Sequence, residues 1–164
     1  MAVLPIRLFP DPVLRKPSQI IHQCHSPYVQ KSLQDLIDTL RSQPYGIGIA
    51  APQVGFGIRL IIVDVSSRDP RKKLTRMINP LVASFGKPVI SREGCMSLPD
   101  YTANVLRYPQ VEVEWFDEKG QRRKKMTKGI EAICLQHEVD HLNGILFIDR
   151  ASSLKTDVFP RLRK

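Results

Sequence analysis

The chain has 164 residues and is poor in cysteine, with three, and in aromatic residues, at 7%. Cys24, Cys95 and Cys134 form an odd, sparse set. Such a set argues against a disulfide framework, points to a reducing compartment, and leaves each thiol to be read by itself. No apolar run approaches the roughly 20 residues that a membrane-spanning helix requires. The opening residues, MAVLPIRLFPDP, lack a signal peptide's charged start and long apolar core, and read as mature protein. Internal repeats, low-complexity tracts and long linkers are also missing, so residues 1–164 are expected to form one domain. That length can bury a core without disulfide staples.

Acidic residues are in the minority. Twenty-five Lys and Arg face sixteen Asp and Glu, a formal charge of +9. A basic surface favours polyanions, the ribosome among them. The basic clusters at 68–73, 122–125 and 161–164 are short, however, and no stacking aromatics interleave them. No nucleic-acid-binding motif accompanies them. Solvated faces and a polyanion contact both remain open readings.

Two helices stand out. Ser26-Pro27 reads as an N-cap followed by proline at the first helical position. Val29, Leu33, Leu36, Ile37 and Leu40 then recur at helical spacing, and Pro44 ends the pattern. A second helix is expected over 129–142, with Gly144 as its C-terminal stop. Between them, Ile58–Val65 (IRLIIVDV) reads as a buried strand. Val111, Val113 and Trp115 alternate with Glu112, Glu114 and Phe116, as in a strand with one wet face. Asp117-Glu118-Lys119-Gly120 reads as a hairpin turn into a basic strand over 121–127. The order predicts an α+β fold with antiparallel β-sheets surrounding a central helix.

That second helix carries the chemistry. CLQHEVDHLNGILF, residues 134–147, contains His137-Glu138-Val139-Asp140-His141, an H-E-x-x-H motif. At about 100° per residue the two histidines lie some 40° apart, so their imidazoles can converge on one ion. Glu138 sits on the flank of that face, placed for a water rather than the metal, and Asp140 falls well round the helix. A metzincin would supply a third histidine where Phe147 stands. Catalytic metals normally take three protein ligands. Cys134 shares the helix face, but seven residues, or roughly 10 Å of rise, separate it from His141. It reads as a wall residue. Cys95, in Arg92-Glu93-Gly94-Cys95-Met96-Ser97-Leu98-Pro99, is the better candidate. On spacing alone Glu93, His22 and His25 compete with it, and a buried apolar thiol is the ordinary alternative.

A glycine-rich stretch, Tyr45 to Gly55, is neither a phosphate loop nor a dinucleotide fingerprint. Its small residues suit a strand edge open to main-chain pairing with an extended peptide, or else a tight turn. Gln53 offers an amide donor for a developing oxyanion.

Together GIGIAAPQ (46–53), EGCMSLP (93–99) and QHEVDHLNG (136–144) resemble the three signature motifs of the peptide deformylases, in order and spacing. PDPVLR (10–15) resembles that family's opening segment, and the resemblance extends over residues 5–150. It implies a metal-dependent hydrolase that removes the formyl group from N-formylmethionyl ends of nascent polypeptides. It implies Cys95, His137 and His141 as metal ligands, with Fe2+ expected and Zn2+, Ni2+ or Co2+ as substitutes. Glu138 would be the general base and acid, and the Gln53 amide and Met96 N–H the oxyanion donors. Gly48 would contact substrate main chain, and Ile47, Gly94, Ile130, Ile133 and Cys134 would shape the methionine pocket. Formylated initiation implies a bacterial cytoplasm or an organelle matrix.

Departures from the family pattern are few. Ile49 and Met96 stand where leucine is usual, and Thr102 stands where many relatives carry an arginine that holds the substrate backbone. The tail, ASSLKTDVFPRLRK, looks too short and proline-broken for the ribosome-docking helix of many relatives. The alternatives are an H-E-x-x-H metallopeptidase and a non-catalytic, ribosome-associated metal-binding module.

Overall fold

The computed structural model describes residues 2–161. The end of the basic cluster at 161–164 lies outside them. Among these residues two α-helices, α1 (Pro27–Arg41) and α2 (Ile130–Leu142), and three short 3-10 turns accompany eight strands. The strands are β1 (Gly48–Ala50), β2 (Leu60–Val63), β3 (Thr75–Phe85), β4 (Val89–Cys95), β5 (Leu98–Arg107), β6 (Gln110–Phe116), β7 (Arg122–Lys128) and β8 (Val158–Pro160). They make two antiparallel sheets, one ordered β1-β2-β3-β6-β7 and the other β4-β5-β8. The α+β expectation holds, and the sheets remain open.

The core explains the sequence pattern. β2 alternates, but both of its faces are buried. Leu60 and Ile62 pack with Val29, Leu33, Leu36, Ile37 and Leu40 of α1. Ile61 and Val63 pack with Ala132, Leu135 and Leu142 of α2. A strand sandwiched between two helices therefore reads as one unbroken apolar run. The strand is shorter than the run, and at its start Ile58 bridges Gln19 instead. The α1 start is as expected: Ser26 Oγ accepts the Val29 N–H at 3.3 Å. The β6–β7 hairpin also matches, with Gly120 at φ 69°. Past α2, Gly144 takes φ 71°, the left-handed stop that glycine supplies at low cost.

β3, β4, β5 and β8 went unrecognised in the sequence. In β3, Asn79-Pro80 looks like a turn but forms a bulge between Ile78 and Leu81. Asn79, at φ 52°, ties that bulge to the chain at Ile21, bonding its N–H and C=O at 2.9 and 2.8 Å. Among the described residues of the tail, Val158–Pro160 form a strand on β5, with Thr102 opposite Phe159, and none is helical.

α2 is also fixed by charge. Glu131, 2% exposed, takes hydrogen bonds from Lys125 and Thr127 and an ion pair with Lys72. Burial pushes its pKa up, but these partners outweigh burial and hold it at about 2. A depressed carboxyl contributes stability above its unfolded value and loses it as pH falls through the folded one. The melting temperature is therefore expected to drop between about pH 4.5 and 2. Thermal melts of Glu131→Gln should show a shallower fall in that window than the parent; equal slopes would contradict the assignment.

Candidate metal centre

α2 brings His137 and His141 to one face, and the end of β4 brings Cys95 opposite them. One donor atom from each lies within 4.8 Å of the others. Cys95 Sγ is 3.2 Å from His141 Nε2. The third ligand candidate is therefore Cys95, and the competitors fall elsewhere. His22 and His25 line a separate cavity of about 770 Å³ with Cys24 and Asn79. Glu93 lies behind His137, its Oε2 2.8 Å from Nδ1. Burial raises the Glu93 pKa, but His137 and Arg107 outweigh it and hold the carboxyl at about 2. Glu93 is thus an acceptor, so His137 Nδ1 carries the proton and Nε2 is left for an ion.

The donor set fits a divalent cation. Burial opposes ionisation of Cys95, yet His141 and His137 hold its thiol well below the ordinary range. A thiolate beside two imidazoles is a ligand set for zinc or iron-like ions. Cys134 is buried but outside this group, its Sγ 3.5 Å from the Ile47 carbonyl. Burial and the Glu138 charge raise its thiol well above the ordinary value, as suits a neutral wall residue.

Glu138 flanks the centre, 4% exposed, and its Oε2 has no hydrogen-bond partner. Burial raises its pKa to about 7, partly offset by His137 and His141. A buried carboxyl poised near neutrality is suited to taking and returning a proton. Gly48 makes room for it. A Cβ there would fall 2.5 Å from Glu138 Oε1 and 2.6 Å from Cys134 Sγ. Gly48→Ala is accordingly expected to displace Glu138 and lower kcat at least about tenfold, while metal content stays at parent level. Steady-state kinetics with metal analysis check this, and an unchanged kcat would contradict the packing argument.

Gln53 is fixed in orientation. Its Oε1 accepts the Ala50 N–H at 2.9 Å, which turns Nε2 toward Cys95 Sγ (3.4 Å) and Ser97 Oγ (3.3 Å). Residues 7–9 brace this side: the Arg7 N–H bonds the Gln53 carbonyl at 2.7 Å, and the Phe9 N–H bonds the Ser97 carbonyl at 2.9 Å. Met96 occupies the β4–β5 turn directly after Cys95. Ile47 and Ile133 are half-buried, and Ile130 is exposed in the first turn of α2. At Gly94 an added Cβ would meet Thr102 and Arg161, at 3.5 and 3.7 Å. Thr102 itself lies 3.5 Å from an Arg92 guanidinium stacked on Phe159. Arg92 of β4 and Arg161, directly after β8, thus flank the position where the sequence has threonine.

Sequence reasoning missed two partners. Ser97 donates its N–H to Cys95 Sγ at 3.4 Å. Arg107, buried on β5, holds both Glu93 and Asp140. Nothing in a strand ending in Val-Leu-Arg signals a buried arginine.

A family model described as polypeptide deformylase matches residues 3–157. The chain belongs to the polypeptide deformylase family. A peptide deformylase of Brucella suis is 42% identical over 159 residues, covering 96% of this chain and 90% of that protein. Peptide deformylase 2 of Vibrio cholerae is 45% identical over 155 residues, covering 94% and 90%. Among solved deformylases, that of Synechococcus elongatus in complex with actinonin superposes with a TM-score of 0.86 at 34% identity, covering 93% of this chain and 83% of that one. The Thermotoga maritima peptide deformylase gives 0.85 at 32%, covering 93% and 100%. The deformylase family makes this chain a hydrolase of protein N-terminal processing, and its Cys/His group is consistent with the family's metal binding. Among the described residues no helix is long and apolar enough to cross a membrane.

Proposed function

We propose that this chain removes the formyl group from N-formylmethionyl ends of newly made polypeptides and releases formate. The observation that carries the reading is a cysteine sulfur and two imidazoles within 4.8 Å of one another, flanked by the buried Glu138 carboxyl. Cys95, His137 and His141 would hold one divalent ion, with Fe2+ expected. A bound ion there would supply Lewis acidity for a water and the formyl oxygen.

The remaining work falls to the chain. Glu138 takes a proton from the attacking water and returns it to the leaving amine nitrogen. Gln53 Nε2 and the Met96 N–H donate to the oxygen on which charge develops. Gly48 contacts the substrate main chain, and Ile47, Gly94, Ile130, Ile133 and Cys134 form the methionine subsite. Nascent chains are the substrate, reached in a compartment with formylated initiation, and the basic surface offers a transient ribosome contact.

The test is substrate choice. Formyl-Met-Ala-Ser should yield formate and free Met-Ala-Ser, while unformylated peptides stay intact. Internal cleavage without formate would favour a metallopeptidase and sink the proposal.

A further inference from the structure

The candidate centre is assembled from two parts of the fold that do not share a sheet. α2, which carries His137 and His141, rests on β1, β2, β3 and β7 of the five-stranded sheet. Cys95 comes from β4 of the three-stranded sheet. The spacing between sulfur and imidazoles therefore depends on how that second sheet is docked on the helix.

Two side chains tie the junction together, Glu93 through His137 and Arg107 through Asp140. Arg107 ends β5 and is 3% exposed. Its Nε and Nη2 donate to the two oxygens of Glu93, at 2.8 and 3.1 Å. Its Nη1 donates to Asp140 Oδ2 at 2.6 Å. Glu93 lies two residues before Cys95 on β4, and Asp140 directly precedes His141 on α2. The guanidinium fork thus grips the cysteine strand with one side and the histidine helix with the other. Glu93 also holds His137 Nδ1 at 2.8 Å, so the same grip reaches the imidazole's orientation. A planar fork fixes both direction and distance, which a lysine ammonium does not.

We propose that Arg107 is a positioning residue that sets the Cys95-to-histidine spacing and thereby tunes metal affinity. This rests on the proposed metal-dependent reading of the centre. Arg150 provides an internal contrast. It bonds Asp140 through Nη2 at 2.6 Å and Nε at 3.1 Å but holds no group on β4, and its side chain is 45% exposed. If charge on Asp140 were all that mattered, either arginine would serve. If the link between sheet and helix matters, only Arg107 does.

The experiment measures Co2+ affinity by chelator competition at 25 °C, together with the visible spectrum of the Co2+-loaded protein. Arg107→Lys keeps the charge and removes the fork. It should weaken Co2+ binding about 10- to 100-fold and shift the cobalt bands, the size of effect that partners behind metal ligands typically have. Asp140→Asn, which keeps Arg107 on Glu93 but weakens the grip on the helix, should move both readouts the same way. It decides the matter if Arg107→Lys does not fold. Arg150→Gln should leave affinity and spectrum at parent values. Parent-like affinity and spectrum in both Arg107→Lys and Asp140→Asn would overturn the proposal. So would an Arg150→Gln loss as large as that of Arg107→Lys. A parent protein that binds no Co2+ would instead overturn the metal-dependent reading.

Discussion

Glu138→Gln is expected to keep its metal and lose roughly 10²- to 10⁴-fold in kcat, the range a positioned acid–base group contributes. Glutamine preserves the shape beside Gly48 and Cys134, where an added methyl would already lie 2.5 Å from Glu138 Oε1. It removes only the ability to accept and return a proton. Glu138 is outside the group of three donors, so metal content should not follow the rate. KM should move little, because the change affects a proton transfer in the transition state and not substrate binding. A variant with parent kcat would mean that Glu138 is not the base. A variant that loses its metal with its rate would mean that the carboxyl supports the ion and not the proton.

Cys95→Ser is expected to lower metal affinity by more than the 10- to 100-fold that outer partners cost, because it removes a ligand itself. The two imidazoles favour the thiolate strongly, holding the Cys95 thiol well below its ordinary range despite burial. A serine hydroxyl in that position stays protonated and is a poor donor to a soft or borderline ion. Turnover should fall with occupancy and recover only partly when excess ion is supplied. Chelator titration and metal content after gel filtration check the first point, and unchanged values in both would contradict it.

The parts of the site set by local periodicity were legible in the sequence. His137, Glu138 and His141 share a helix, so a 100° step per residue already places them. Helix α1 was legible for the same reason, with Ser26-Pro27 marking its start. Cys95 was different. Its glycine- and proline-bounded segment made it the better candidate, but spacing left Glu93, His22 and His25 as competitors until the resemblance to deformylases favoured the cysteine. The deciding relation is between β4 and α2, and no local pattern encodes it. Glu93 was the hardest residue to read, since a carboxylate that ligates and one that orients a ligand look alike in sequence. Here it is the orienting kind, 2.8 Å from His137 Nδ1. β3 was hidden because Asn79-Pro80 carries turn chemistry inside a strand, where it builds a bulge. β4 and β5 were hidden because their residues answer to the metal centre as much as to a core. Glu93, Cys95 and Arg107 are buried polar or thiol groups at positions where a simple strand would carry valine or isoleucine.

The central claim is that one ion held by Cys95, His137 and His141 supports deformylation. The most direct measurement is anaerobic metal analysis and formate release from formyl-Met-Ala-Ser on the same preparation. The account predicts close to one divalent ion per chain, formate release in proportion to occupancy, loss of both on chelation, and recovery on adding Fe2+ or Co2+. Full formate release from metal-free protein, or a fully loaded protein that releases none, would contradict it.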